Sequence, residues 1–438
     1  MPRTLAKSTP ELEIILDRQD NIYQAGETIT GRVMRTAPIV SSQAHLTIQL
    51  NGRTKSKLTV SRGQAGASIY RGRFGLFNPA ANEQQLHDGP VHIAADGRQD
   101  WPFSLTIPSG PDPATVAKDN DQKFSYLPLA RQEVENHSLP PVFYMSGWFL
   151  TTTYECFVEY FLEAKLHASS RGSGHQVDQA VLPFSVLPAE TPGLISEFSL
   201  ARRNFLCRIN TYRLTRGSEL GSGSGSATLS LQERTREFFG SSKVPQFAFS
   251  LQVEHPTTLQ VGNPNPIPFR LLVLPDHDQT TELVQHAPPT VTLTSMTFEI
   301  EASTNMVCRG QLIAHTANQN RTFGFDLSSL INQRQEPIVV PSGEKSQPLD
   351  VGKLLQLCLT SIKPLGISRG KKKLYPSFTT YNIKHAHKLK WKLRLTAAGE
   401  STEVSEEVDL VLLPWPGNGL PCYEDYETKE SAPAYELE

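Results

Sequence analysis

Apolar residues recur along this chain with a period of two. In Tyr154–Leu166 the even positions Tyr154, Cys156, Val158, Tyr160, Leu162, Ala164 and Leu166 form one wholly apolar series. The odd positions carry Glu155, Glu159, Glu163 and Lys165, interrupted by Phe157 and Phe161. Successive strand side chains point to opposite faces, so this spacing predicts a strand with one buried face. Leu389, Trp391, Leu393 and Leu395 alternate with Lys388, Lys390, Lys392 and Arg394 in the same way. Met296, Phe298 and Ile300 repeat the pattern, as do Leu46, Ile48 and Leu50, and Leu12, Ile14 and Leu16 open the first strand. A period near 3.6 is missing, and Leu231–Phe239 is at most one short helix.

Turn signals separate the strands: Ala25-Gly26, Asn51-Gly52 and Asn263-Pro264-Asn265-Pro266. Many short alternating strands between such signals read as antiparallel, immunoglobulin-like β-sandwiches. The 32 prolines agree, since proline is excluded from helix interiors. At 438 residues the chain exceeds what one core usually supports, so two domains are expected. A Pro-rich junction at Leu187–Pro192 divides residues 1–187 from 193–415, and a short acidic tail follows over 416–438. Ser169–Gly174 and Gly217–Ala227 read as flexible loops. The halves echo one another: Tyr23-Gln24-Ala25-Gly26 ahead of Thr28–Val33 resembles Leu259-Gln260-Val261-Gly262 ahead of Ile267–Val273. That echo suggests a duplicated sandwich.

Composition narrows the function. Net charge is −2, so any basic site is local. The five cysteines stand far apart, with no CxxC pair, which indicates neither a disulfide framework nor a zinc knuckle. Residues 1–14 lack the apolar core of a signal peptide, and no run of about 18 apolar residues occurs. A reducing, cytosolic location is expected.

Ordered local patterns then resemble the arrestin family, and its alpha-arrestin branch as found in fungi. They are Leu12–Val33 with its Y-x-x-G-E-x-I-x-G-x-V core, Ile48–Lys55 (IQLNGRTK) and Trp101–Pro108 (WPFSLTIP). Leu139-Pro140-Pro141 before the strand Val158–Leu166 follows, then Pro376–Lys384 (PSFTTYNIK) leading into Leu389–Leu395. The resemblance spans roughly residues 10–415. It implies an arrestin-like N-domain and C-domain, and a scaffold without catalytic chemistry or cofactor.

The sharpest functional signal lies in the tail. Leu420-Pro421-Cys422-Tyr423 fits the L/P-P-x-Y ligand of WW domains, and Pro433 with Tyr435 forms a degenerate second copy. Proline presets the extended helix, and the tyrosine two residues on fills the next aromatic pocket. The bland alternative is a chance match in a polar tail. Lys371, Lys372 and Lys373, with Arg369 and the cations of 384–394, form a basic run. It is either a contact for anionic lipid or phosphate, or a solvated strand face that discourages edge pairing. Arg53, Lys55 and Lys57 are a second phosphate-contact candidate, because the resemblance implies N-domain cations that read phosphorylated cargo. His385 with His387, and Asp276-His277-Asp278, lack a third ligand at metal-binding spacing. GxSxG, HExxH and P-loop signatures are missing, so no enzyme, metal or cofactor is expected.

The resulting expectation is an adaptor between the cytosolic tails of plasma-membrane transporters or receptors and a WW-domain HECT ubiquitin ligase. It would promote ubiquitination, endocytosis and sorting, with recruitment to plasma membrane or endosomes. The alternative is a retromer-like or scaffold protein of the same fold that works without a ligase.

Overall fold

A computed structural model describes residues 3–170, 174–187, 193–216, 235, 244–365 and 373–415. The fold is all-β: two β-sandwiches in tandem. The first half contributes β1 (Glu13–Leu16), β2 (Ile22–Gln24), β3 (Thr28–Arg35), β4 (Ile39–Ser61), β5 (Ala67–Gly75), β6 (Glu83–Ile93), β7 (Gln99–Thr106), β8 (Phe143–Phe149), β9 (Thr152–Ser170) and β10 (Gly174–Leu187). The second contributes β11 (Leu200–Asn210), β12 (Gln246–Pro256), β13 (Thr258–Gln260), β14 (Arg270–Pro275), β15 (Thr292–Arg309), β16 (Ala314–Gly324), β17 (Ile338–Val339), β18 (Leu349–Asp350), β19 (Lys363–Pro364), β20 (Phe378–Thr379), β21 (Ile383–Ala397) and β22 (Glu400–Leu413).

In the first sandwich the small sheet β1-β3-β7 packs on the sheet that runs β5-β4-β9-β10-β2. In the second, β11-β12-β14-β18 packs on β15-β21-β22-β13. The period-two series supplies both cores. Every even position from Tyr154 to Leu166 is buried, and so are Leu389, Trp391, Leu393 and Leu395. The two large sheets are continuous, because β15 meets β5 antiparallel at the pair Arg309 and Arg71.

The internal echo marks equivalent places in the two sandwiches. Tyr23 in β2 pairs parallel with Val186 of β10, and Leu259 in β13 pairs parallel with Leu412 of β22. The next two residues repeat the geometry. Ala25 N–H donates to Leu187 O and Val261 N–H to Leu413 O, at 3.1 and 3.0 Å. Gly26 and Gly262 then turn the chain at φ of 86° and 71°, which glycine adopts without steric cost. Against Gly262 lies the ring of Trp415, leaving no room for a Cβ.

Two expectations need correction. Asn51-Gly52 is not a turn but the middle of β4. Gly52 is there because a Cβ would lie 2.8 Å from the Phe77 ring and 3.0 Å from Tyr160, so its role is close packing. Ser169, Ser170 and Gly174, expected in a loop, belong to the paired ends of β9 and β10. The Leu187–Pro192 junction beyond Leu187, the Gly/Ser stretch and the 231–239 segment apart from Thr235 lie outside the described residues.

A seam joins the sandwiches. Met306, Cys308, Tyr381 and Ile383 come from the second half of the chain but pack in the first core. Asn382, between them, is fully buried and fully satisfied. Its amide donates to Ser56 Oγ at 3.0 Å and Gly72 O at 3.4 Å, and its carbonyl oxygen accepts from Thr54 Oγ1. Ser56 Oγ in turn donates to Val307 O at 2.6 Å. A side chain at Gly72 would collide with both Ser56 Oγ and Val307 O. Replacing Asn382 by alanine strands the Thr54 hydroxyl and the Gly72 carbonyl. Unpaired buried groups cost about 1–3 kcal/mol each, so Asn382→Ala is expected to lower unfolding free energy by about 2 kcal/mol or more in chemical denaturation. A loss below about 0.5 kcal/mol would mean that the network is not formed.

Candidate functional site

The odd positions of β4 put Arg53, Lys55 and Lys57 side by side on the outer face of the central sheet. Register adds what the sequence alone did not show. Lys57 lies opposite Arg71, and Lys55 opposite Arg73, both exposed on β5. On the other side, Glu155, Phe157 and Glu159 of β9 face Lys57, Lys55 and Arg53. The five cations therefore share one patch, but they are not equivalent.

Arg53 is committed to the fold. Its guanidinium ion-pairs with Glu159, whose side chain is almost wholly buried, and donates to Thr4 Oγ1 at 2.7 Å. Thr4 N–H and Oγ1 both donate to the same carboxylate, at 2.8 and 3.0 Å. The segment before β1 thus straps this face, held further along by Lys7 pairing with Val181. Phe157 and Phe161, which break the polar series of β9, are buried under the cations of this face. Phe161 lies under the Arg53 guanidinium at 5.3 Å and Phe157 under the Lys55 ammonium at 5.7 Å. Burial, with Arg53 and Arg73 adding repulsion, pulls Lys55 down to about 8. An anionic ligand on this face would raise it again. Lys57, Arg71 and Arg73 are the members that face outward, and β5 carries two of them.

The second basic run resolves differently. Lys388 pairs with Glu407 at 2.6 Å, Lys390 with Glu301 at 2.6 Å and Glu407 at 3.1 Å, and Lys392 and Arg394 both with Glu403. These β21 cations form a cross-strand charge ladder of mutually paired groups. Lys373 stands over the Tyr375 ring at 5.9 Å. Lys371, Lys372 and the tail residues Leu420, Pro421, Tyr423, Pro433 and Tyr435 lie outside the described residues.

The histidine pair has structural work. His385 Nδ1 shares a hydrogen bond with Thr304 Oγ1 at 2.7 Å, and His387 Nδ1 with Ser377 Oγ at 2.8 Å. The His385 ring packs 4.9 Å from Phe143 of the first sandwich, so it braces the seam. Burial pushes His385 down to about 3, with His387 and Arg321 adding repulsion, and burial pushes His387 down to about 4. Asp276-His277-Asp278 forms an exposed turn in which Asp276 accepts from Gln279.

Two outcomes follow from these environments. Removing Arg53 leaves Glu159 buried without its partner, so Arg53→Ala is expected to cost about 3 kcal/mol, whereas Arg73→Ala changes stability by less than about 0.5 kcal/mol. Denaturant titration of both variants checks this, and equal effects would contradict it. The histidines titrate near 6.5 when unfolded and stay neutral in the fold to much lower pH. Their contribution is complete above about pH 6.5 and is lost as pH falls toward 4, by up to about 1.4 kcal/mol per unit for each ring. The melting temperature should fall over that window, and the His385→Gln, His387→Gln double variant should flatten the slope there. An unchanged slope would contradict their burial as neutral groups.

Comparison with known proteins adds one match. No curated protein matches the chain. Residues 12–182 match the family model described as "Arrestin (or S-antigen), N-terminal domain". That span runs from the residue before β1 into β10, so the match covers the first sandwich, with its cationic outer face.

Proposed function

We propose that this protein is a non-catalytic adaptor that links membrane cargo to a WW-domain HECT ubiquitin ligase, promoting ubiquitination, endocytosis and sorting. The observation that carries the reading is the conjunction of the match to an arrestin N-terminal domain over residues 12–182 with Leu420-Pro421-Cys422-Tyr423 just past the last strand. Proteins of the arrestin family are generally non-catalytic adaptors, and an arrestin domain is consistent with a trafficking role. The protein acts in the cytoplasm and is recruited to plasma membrane or endosomes. Among the described residues no helix is long and apolar enough to cross a membrane, which suits a protein brought to the bilayer by its cargo.

Geometry gives this reading a constraint. Trp415 is seated on Gly262, so the chain is anchored five residues before Leu420. Five residues span at most about 18 Å. A WW domain on this motif therefore docks close against the second sandwich. Cargo is gripped by the first sandwich, where Lys57, Arg71 and Arg73 offer outward charge to phosphorylated or acidic cytosolic tails. Arg53 and Lys55 support that face from beneath.

The direct test is capture on immobilised WW domains of such a ligase. Wild-type protein should be retained, and the Tyr423→Ala, Tyr435→Ala double variant should lose at least roughly tenfold in affinity, because the tyrosine pocket is then empty. Equal retention would discard ligase recruitment by the tail and favour a vesicle-trafficking scaffold of the same fold.

A further inference from the structure

Five large apolar side chains stand exposed at one end of the first sandwich. Trp148 and Phe149 end β8 and Leu150 opens the turn into β9, and Leu312 and Ile313 lie in the β15–β16 turn, each between 67% and 86% exposed. The sheet register brings these turns together. Ser61 N–H, at the end of β4, donates to Thr151 O at 2.8 Å, so the β4–β5 turn over 62–66 lies beside the Trp148–Leu150 turn. β5 runs away from that end, and β15 pairs with it antiparallel at Arg309 and Arg71. β15 must then run toward the same end, and the Tyr70 ring stacked on His315 at 3.5 Å holds the start of β16 there. From β15 to β9 is three strand positions, about 14 Å, so one flat surface can touch all three turns.

The chemistry of these turns is uniform. Segments 59–72, 143–153 and 305–316 contain Arg62, Arg71 and Arg309 and no Asp or Glu, in a chain whose net charge is −2. All three arginines are exposed; Arg309 donates to Asp119 O at 2.8 Å and also faces the Asp121 carboxylate. Leu150 occupies the left-handed region at φ of 52°, where Asn or Gly would sit more easily. A bulky apolar residue is thus presented outward at a local conformational cost. The apolar groups stand on protruding turns rather than in a groove. Such points suit a deformable apolar layer better than a preformed pocket on a protein. Trp and Phe beside arginine match the interfacial zone of a bilayer, where amphipathic rings and cations are favoured together.

We infer that this end is a lipid-contacting surface: the Trp148–Leu150 and Leu312–Ile313 turns enter the interfacial layer of an anionic bilayer while Arg62, Arg71 and Arg309 rest on its headgroups. The site is separate from the tail and adjoins the Arg53–Lys57 face at Arg71, and it stands whether or not a ligase binds. Contact by the turns would set the first sandwich upright on the membrane, with its cationic face beside the emerging segment of a membrane protein.

Vesicle sedimentation of the full chain tests this, using phosphatidylcholine vesicles with and without phosphatidylserine. Wild type should partition onto the anionic vesicles, and Trp148 emission should shift to the blue. The other described tryptophans are Trp101 and Trp391, which are buried, and Trp415, which is half-buried. Trp148→Phe should abolish the shift while binding persists. The triple variant Trp148→Ser, Phe149→Ser, Leu150→Ser should reduce partition at least roughly tenfold with an unchanged melting temperature. Arg62→Ala and Arg309→Ala should each reduce it about fivefold, on anionic vesicles only. Three results overturn the inference: no partition onto either vesicle, partition unaltered in the triple variant, or a blue shift that survives Trp148→Phe. Apolar-dependent binding to a detergent-solubilised membrane protein without vesicle binding would do the same, making the turns a protein-docking surface.

Discussion

The arrangement depends on one buried polar contact between the two halves of the chain. Asn382 reaches from the second half into the central sheet and pairs with Thr54, Ser56 and Gly72, all in β4 and β5. Polar groups buried in a seam are costly unless every donor and acceptor is met, and here they are met with specific geometry. Around them Met306, Cys308, Tyr381 and Ile383 complete the first core, with Tyr381 stacked 5.1 Å from Phe74. A hydrophobic seam alone could slide. A satisfied polar network inside it has one register, and that register fixes where β15 meets β5.

From that register follow the positions of the functional surfaces. β4 runs the length of the first sandwich and has two faces with different duties. Its even residues face the core and, at Thr54 and Ser56, the seam. Its odd residues carry the cations Arg53, Lys55 and Lys57. The same strand ends in the turn that lies between the two exposed apolar turns. One strand thus couples the junction, the cationic face and the proposed lipid-contacting end. A shift of the second sandwich would be felt at all three, since β15 touches both the seam and the outer turns.

Much of the architecture was legible because period-two alternation survives wherever a sheet has one buried face, as in Tyr154–Leu166 and Lys388–Leu395. The Tyr23–Gly26 and Leu259–Gly262 echo pointed to a duplication that the register makes concrete. What could not be read rests on contacts distant in sequence. Asn382 and Ser56 are 326 residues apart, and neither residue type marks a seam. Gly52 looked like a turn because a glycine needed for close packing and one needed for a bend are identical in sequence. Phe157 and Phe161 were visible as interruptions of the polar series, and the cations that cover them, Lys55 and Arg53, come from the neighbouring strand. Arg71 and Arg73 joined the cationic face only once β5 was placed beside β4. Trp148-Phe149-Leu150 reads in sequence as an ordinary apolar run, and only the turn shows that it faces outward.

Hydrogen exchange across the seam tests the central claim most directly. Backbone amides in 52–58, 305–309 and 378–384 should open together, with matching exchange rates, because they are held by one network. Exchange of 378–384 at the rate of an exposed loop, while 52–58 stays protected, would show that the two sandwiches are merely tethered and would contradict the account.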